Sequence, residues 1–221
     1  MPLIRIDKQP SGAMLGLWEM NESIEQLLYA YPSLHALLSS LEHYRSDARK
    51  LEKLAVHALL QEMTGLSNPI INHNPDGRPF FEGWEISVSH TRGMAAVILR
   101  ENDDNNLSSL SPVAIDIEYI SDRVSRIISR FLRPDEEAST LLQQLVCWCA
   151  KETAYKFFSS QHLELLDMRI LPFELSAKGT GTIFLENLKT QEKIDVVYHI
   201  SERYVLTYTC FFRSNLTQHV P

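Results

Sequence analysis

The sequence predicts an α+β fold with two similarly built, pseudo-symmetric lobes, each a helix packed on a small antiparallel sheet. Two observations support this prediction. A helix-like segment followed by strand-like segments occurs twice, and a polar stretch rich in Asn, Asp and Ser, residues 101–112, separates the two occurrences. The 221 residues also give room for two halves of about 110 residues each. We therefore place the lobes at residues 1–110 and 111–221.

The first lobe is predicted to contain one long helix followed by a hairpin. Apolar residues recur at helical spacing after Ser46, a candidate N-cap, and Gly65 is expected to end the helix. A turn-rich passage then leads to two strand-like segments, at residues 85–90 and 94–100. This order predicts a helix lying on an antiparallel pair of strands.

The second lobe is predicted to open with a strand, residues 113–118, and to continue with a short helix. A longer helix follows near residues 140–159. Three strand-like segments then complete the chain, at residues 182–187, 193–200 and 204–212. The second lobe thus repeats the helix-then-strands order of the first.

The composition narrows the possible functions. Apolar residues make up 44% of the chain and charged residues 22%, as in an ordinary globular protein. The formal net charge of −7 argues against a nucleic-acid-binding protein. The three cysteines suit a reducing compartment, and we see no secretory signal and no apolar run of the roughly 20 residues that cross a bilayer. We expect a cytoplasmic protein that binds neither nucleic acid nor membrane.

Two carboxylates stand on one face of the strand that opens the second lobe. Because side chains alternate along a strand, Asp116 and Glu118 point to the same side. At about 6 Å and an effective dielectric constant near 20, their repulsion costs roughly 3 kcal/mol. A divalent cation such as Mg²⁺ would remove that cost. The alternative interpretation is the solvated edge of an amphipathic strand.

The long helix of the second lobe is predicted to present a charged arc. At about 100° per residue, Lys151, Glu152 and Lys156 fall within an arc of about 140°, opposite an apolar face. A glutamate could be a third metal ligand, and lysines neutralise phosphates. The alternative is an ordinary amphipathic helix with a Glu–Lys pair four residues apart.

Two further patterns suggest binding of anions or acidic partners. Ser89 and His90 end a predicted strand, where a hydroxyl and an imidazole could hold a phosphate; a plain hairpin corner is the alternative. Four arginines recur at a spacing that would form one basic stripe on a helix. The alternative is a solvated helix face. The arginines are Arg123, Arg126, Arg130 and Arg133.

Taken in order, these motifs resemble the 4'-phosphopantetheinyl transferases, in particular the larger, two-lobed class of the surfactin-synthetase-activating type. The family's Gly-hydrophobic-Asp-x-Glu strand corresponds to residues 114–118, with Ala114 in place of the glycine. Its Trp-x-x-Lys-Glu-x-x-x-Lys helix corresponds to residues 148–156. The family's arginine at a helix start corresponds to Arg49, and its Gly-Lys-Pro turn corresponds to residues 77–79. Its Ser-His strand end corresponds to residues 89–90, and its Arg-Phe-(x)4-Glu passage corresponds to residues 130–136.

The resemblance implies a role for each matching residue. Three carboxylates would hold Mg²⁺ on the pyrophosphate of coenzyme A, two lysines would contact phosphate oxygens, and one further glutamate would be the general base. Three residues would hold the 3'-phosphate of coenzyme A, and one arginine would line the adenine. The metal ligands would be Asp116, Glu118 and Glu152, the phosphate-binding lysines would be Lys151 and Lys156, and the general base would be Glu136. Arg49, Ser89 and His90 would hold the 3'-phosphate, and the backbone at Arg78 would line the adenine.

The resemblance also implies an activity and its partners. The enzyme would transfer the 4'-phosphopantetheine arm of coenzyme A to a serine of an apo carrier protein in fatty-acid, polyketide or nonribosomal-peptide synthesis, releasing 3',5'-ADP. The arginine stripe would dock the acidic carrier, and two joined lobes predict a monomer. Three alternatives stay open: a non-catalytic relative that binds coenzyme A or a carrier, an unrelated metal-dependent phosphoesterase, and an α+β interaction module.

Overall fold

The computed structural model describes residues 2–75, 77–102 and 112–210, and the backbone of 212–213. The chain divides into two compact units, Met1–Asn105 and Asn106–Pro221. Each unit contains a long helix and an antiparallel sheet, which confirms the predicted α+β class. Most of the polar stretch at 101–112 lies outside the described residues. No helix in the described part of the chain is both long and apolar enough to cross a membrane.

The first unit is built on a four-stranded antiparallel sheet. Its helices are α1 (Ile24–Ala30), α2 (Leu38–Leu41) and α3 (Asp47–Thr64). Its strands are β1 (Leu3–Lys8), β2 (Met14–Glu19), β3 (Asn72–His73), β4 (Pro79–Phe80), β5 (Trp84–Thr91) and β6 (Met94–Glu101). The main sheet has the order β1-β2-β6-β5, and β3 and β4 form a separate pair. The sequence analysis predicts β5 and β6 but misses β1 and β2.

Helix α3 packs on the centre of this sheet, against β2 and β6. Gly65 ends the helix in the left-handed conformation, with φ 73°, and its N–H donates to the carbonyl of Gln61, as the sequence predicts. A Cβ on Gly16 of β2 would lie 2.6 Å from the sulfur of Met63 and 2.8 Å from Cδ1 of Leu59. Glycine at this position therefore lets α3 approach the sheet closely.

The second unit holds one long helix against a larger antiparallel sheet. Its helices are α4 (Arg123–Arg126) and α5 (Leu141–Phe157). Its strands are β7 (Ala114–Tyr119), β8 (Met168–Ile170), β9 (Thr180–Asn187), β10 (Lys193–Ile200), β11 (Tyr204–Thr209) and β12 (Phe212–Arg213). The sheet order is β7-β11-β10-β9-β8, with β12 also paired to β10. Helix α5 contacts β7 and β11 most extensively.

A capping box fixes the start of α5. The Thr140 hydroxyl accepts a hydrogen bond from the N–H of Gln143, and the Gln143 side chain accepts one from the N–H of Thr140. Val146, Cys149 and Ala150 of the helix are buried in one apolar core with residues of the sheet. The cap and the core together set the register of α5 against the sheet.

The continuous helix predicted from the arginine spacing is wrong. Helix α4 has one turn, Arg123–Arg126, and Ile128–Arg130 is a separate 3-10 turn. Phe131 follows outside helical geometry, with its ring fully buried and 5.3 Å from that of Trp148. Burial of Phe131 therefore turns the chain towards the core and ends the helical spacing on which the stripe depends.

Candidate active site

The two carboxylates of β7 are engaged by side chains that recur every fourth residue along α5, on one face of the helix. Trp148 donates from Nε1 to Oε1 of Glu118 at 3.0 Å. Two turns further on, Lys156 donates from Nζ to Oδ1 of Asp116 at 2.8 Å. The same ammonium donates to the carbonyl of Ile115 at 2.9 Å. The predicted placement of Asp116 and Glu118 on one strand face agrees with these contacts.

Glu152 lies on α5 between Trp148 and Lys156, and its environment is strongly acidic. Burial raises the pKa of Glu152 to about 7, and the negative charges of Asp116 and Glu118 act in the same direction. The ammonium of Lys156 opposes this shift and only partly offsets it. Glu152 therefore lies in a buried, acidic environment that Lys156 offsets only in part.

The donor set suits a hard divalent cation. Asp116, Glu118 and Glu152 offer carboxylate oxygens, and a bound cation would oppose the rise in the pKa of Glu152 that burial and the two neighbouring carboxylates cause. Within residues 2–75, 77–102 and 112–210, no three His, Cys, Asp or Glu side chains form a cluster that could hold a metal ion, so Asp116, Glu118 and Glu152 do not make a closed metal site in this structure. Mg²⁺ usually binds one or two carboxylates together with substrate phosphates. The residues therefore fit a cation whose shell a phosphate ligand completes.

Lys151 does not lie on the exposed arc that the helical spacing predicts. Its side chain is completely buried, and Nζ donates to the carbonyl of Phe131 at 2.6 Å and to Oε2 of Glu136 at 2.7 Å. Burial lowers the pKa of Lys151, and the hydrogen bond to Glu136 opposes that effect. The prediction of an open, phosphate-facing Lys151 is corrected because the segment from Phe131 to Glu136 covers this side of α5.

Glu136, predicted as the general base, is the buried partner of Lys151. Its side chain is 2% exposed. Oε1 accepts a hydrogen bond from the N–H of Ile170 at 2.6 Å, and Oε2 accepts one from the N–H of Arg133 at 2.7 Å. Both oxygens thus hold the protein's own donors. In this arrangement Glu136 joins the loop before α5 to β8, and its carboxylate is engaged by the protein's own donors.

In the first unit, the structure brings together two residues that the sequence predicts as phosphate ligands. Arg49 lies in the first turn of α3 and His90 near the end of β5, and their Nη1 and Nε2 atoms are 3.3 Å apart. Ser89 is buried at the neighbouring position of β5, where strand alternation directs it to the opposite face. The predicted trio is therefore a pair, Arg49 and His90, with Ser89 behind it.

A carboxylate that the sequence analysis misses completes this cluster. Oε2 of Glu52 lies 2.9 Å from Nη1 of Arg49 and 3.6 Å from Nδ1 of His90. Glu52 follows Arg49 by three residues, a spacing that brings side chains together on a helix. This three-residue spacing is the one indication in the sequence that Glu52 contacts Arg49, and it is equally typical of an ordinary surface ion pair.

Arg78, predicted beside the adenine, is held at the turn between β3 and β4. Its backbone N–H donates to Oδ1 of Asn74 at 2.7 Å, and Nη2 donates to Oε2 of Glu85 at 2.7 Å. Gly77 precedes it with φ 79°, a conformation that favours glycine. The turn fixes the backbone of Arg78, while the guanidinium contacts an acidic partner.

The four arginines predicted to dock a carrier do not form one stripe. Arg126 pairs with Asp122 at 2.8 Å, and Arg133 pairs with Asp135 at 2.9 Å and donates to the carbonyl of Leu166 at 2.8 Å. Arg123 and Arg130 are exposed. Arg123 and Arg126 share the single turn of α4, so they are the two that remain close in sequence and structure.

In the second unit an acidic strand thus faces a helix that carries tryptophan, glutamate and lysine at every fourth position. Residues 112–209, which contain all of these groups, match the family model of the 4'-phosphopantetheinyl transferase superfamily. The resemblance to this superfamily drawn from the sequence is thereby confirmed for residues 112–209, a little under half of the chain. No curated protein matches the chain. This match supports transferase activity, in a family whose substrate is coenzyme A and whose partners are carrier proteins.

Proposed function

We propose that this protein transfers the 4'-phosphopantetheine arm of coenzyme A to a serine of an apo carrier protein. The observation that carries the proposal is the β7–α5 site, which lies within the segment that matches the superfamily. In the reaction, the serine oxygen forms a bond to the β-phosphorus of coenzyme A. The bond between that phosphorus and the bridging oxygen of the pyrophosphate breaks, the serine proton passes to water, and 3',5'-ADP leaves.

Asp116, Glu118 and Glu152 would hold the divalent cation, which we propose to be Mg²⁺. When bound, the cation supplies positive charge to the pyrophosphate oxygens and so stabilises the charge of the leaving phosphate. Trp148 supports this set by donating to Oε1 of Glu118, which fixes the direction of that carboxylate. Burial, and after it the neighbouring charges of Asp116 and Glu118, raise the pKa of Glu152, and the contribution of those two charges supports the assignment of a cation to these three residues.

Lys156 would bind a phosphate oxygen beside the acids. Its side chain is 28% exposed, and its ammonium lies 2.8 Å from Oδ1 of Asp116. An ammonium has three donors, so Lys156 can contact Asp116, the carbonyl of Ile115 and an incoming phosphate together. We assign Lys151 and Glu136 to positioning instead, because their contacts join α5 to the segment that covers it.

The first unit would bind the adenosine end of coenzyme A. Arg49 and His90 would meet the 3'-phosphate, and the backbone at Arg78 would line the adenine. The close approach of Arg49 to His90 supports this assignment, as does the turn that fixes Arg78. With these roles the protein would belong to the two-lobed class of the superfamily.

We also propose that the enzyme is a cytoplasmic monomer. All three cysteines are free and buried, which suits a reducing compartment. Both predicted parts of the site occur in one chain, so a second copy is not required for the chemistry. Light scattering of the purified chain would test the monomer directly.

Intact-mass spectrometry tests the proposed activity. A panel of apo carrier proteins from fatty-acid, polyketide and peptide synthases is incubated with the full chain, coenzyme A and Mg²⁺. We expect at least one carrier to gain the mass of one phosphopantetheine arm, and a carrier with its acceptor serine changed to alanine to gain none. Coenzyme A binding without mass gain on any carrier would indicate a non-catalytic relative. Cleavage of coenzyme A without a carrier would indicate a phosphoesterase.

A further inference from the structure

Glu52, Arg49 and His90 form a closed polar cluster at the predicted 3'-phosphate position of the first unit. One atom of Arg49, Nη1, contacts both Oε2 of Glu52 at 2.9 Å and Nε2 of His90 at 3.3 Å. The same Glu52 oxygen lies 3.6 Å from Nδ1 of His90. The side chain of Glu52 is 19% exposed and that of Arg49 is 57% exposed. The acid is therefore the more enclosed member of the pair.

The contacts define the state of His90. A guanidinium only donates hydrogen bonds, so Nε2 of His90 accepts from Arg49. The proton of the neutral ring is then on Nδ1, which faces the carboxylate of Glu52. In this state, the ring nitrogen towards Arg49 offers a lone pair, whereas an anion requires a donor there. A phosphate must rearrange the cluster before His90 can donate to it.

We propose that Glu52 is a specificity-determining residue that suppresses the preference for a 3'-phosphorylated donor over the same donor without that phosphate. This inference rests on the proposed function and adds the donor preference of that site. The carboxylate of Glu52 offsets the positive charge of the Arg49 guanidinium that a phosphate would meet. A phosphate monoester carries about −1.5 to −2 charges at neutral pH. It must displace the carboxylate or bind beside it.

A second ion pair in the same unit supports this inference. Arg78, the other arginine predicted at the adenosine end, pairs with Glu85 at 2.7 Å. Arg49 thus has an acidic partner three positions further along the chain, and Arg78 has one seven positions further along. An ion pair with an exposed member, as Arg49 is here, contributes little to stability, so we expect loss of Glu52 to change ligand charge preference more than folding.

Isothermal titration calorimetry on the full chain tests the proposal by binding alone. The probes are adenosine 3',5'-bisphosphate and AMP at fixed Mg²⁺, measured on the wild type, on Glu52→Gln and on Glu42→Gln. Glu42 is an exposed acid of the same unit, so its variant controls for net charge. We expect the wild type to bind the two nucleotides within about fivefold of each other. Glu52→Gln should bind the bisphosphate about tenfold more tightly and AMP within twofold of wild type, a change of about 1.4 kcal/mol for the bisphosphate alone.

A double variant and the transfer assay separate the other outcomes. Arg49→Ala in the Glu52→Gln background should remove the tenfold gain. Weaker bisphosphate binding by Glu52→Gln would show that Glu52 supports Arg49, and an equal change for both nucleotides would show a structural role; either result overturns the proposal. If carriers are modified but the nucleotide ratio does not change, this inference alone fails. If neither nucleotide binds and no carrier is modified, the proposed function fails with it.

Discussion

Lys151 and Glu136 form an ion pair that is closed to solvent, with Nζ and Oε2 2.7 Å apart and side-chain exposures of 0% and 2%. Lys151 sits beside Glu152 on α5, and Glu136 receives hydrogen bonds from the N–H groups of Arg133 and Ile170. The pair thus joins α5 to the segment that covers it and to β8. Lys151 and Glu136, which both belong to the matched sequence motifs, are therefore paired with each other inside the second unit.

This pair predicts a large stability effect. Lys151→Met leaves the carboxylate of Glu136 buried without its cation, which typically costs about 3–5 kcal/mol. We expect urea denaturation to show a loss of that size, and the double variant Lys151→Met, Glu136→Gln to recover part of it because no charge is then stranded. The exposed Lys178→Met is the matched control and should stay within about 0.5 kcal/mol of wild type. Equal losses for Lys151→Met and Lys178→Met would contradict the buried pair.

Glu152→Gln should separate activity from stability. It removes a half-buried negative charge that faces Asp116 and Glu118, so the folded protein should keep or gain stability. If Glu152 holds the cation, the initial transfer rate should fall about 100-fold or more. Intact-mass rates and urea denaturation of the same preparation test both statements, with the exposed Glu137→Gln as control. Wild-type rates in Glu152→Gln would rule out the metal assignment.

His57 of α3 predicts a loss of stability in mild acid. Burial lowers the pKa of His57 below its usual 6.5, although the hydrogen bond to the carbonyl of Lys53 opposes the shift. Between the folded and unfolded pKa values the unfolded chain binds more protons, so the free energy of unfolding decreases as pH falls below about 6.5. One proton contributes at most about 1.4 kcal/mol per pH unit.

Urea denaturation between pH 5 and 7.5 measures this effect. His57→Gln should flatten the slope of stability against pH in this range, whereas the exposed His73→Gln should keep it. Above pH 7 the His57 variant and wild type should have parallel profiles. An unchanged slope in His57→Gln would mean that the ring titrates alike in the folded and unfolded chains.

Arg123 and Arg126 predict a salt-dependent contact with the carrier. Both side chains are exposed on α4, in a protein whose formal net charge is −7. Reversing both charges to glutamate should raise the KM for an acidic carrier about tenfold, weaken its dependence on salt and leave the KM for coenzyme A within twofold. The control reverses Lys8 and Lys178, two exposed lysines, which changes net charge equally. Matching effects in both double variants would show that net charge acts and that docking occurs elsewhere.

Periodicity predicted the long helices and much of the sheets, because α3, α5, β5 and β6 each present a regular apolar face to a core. Strand alternation likewise placed Asp116 and Glu118 correctly. The spacing of Lys151 failed for a physical reason: a helical wheel gives the direction of a side chain but not the segment that later covers it. Burial of Phe131 similarly overrides the helical spacing of the arginines.

The contacts of α5 with β7 have a consequence for length variation. Trp148, Glu152 and Lys156 occur at every fourth residue of one uninterrupted helix, and the capping box at Thr140 fixes where that helix begins. One inserted residue between Trp148 and Lys156 would rotate the second relative to the first by about 100° and shift it by about 1.5 Å. Within this interval exposed positions such as Tyr155 can be exchanged, but the number of residues cannot change without moving Lys156 away from Asp116.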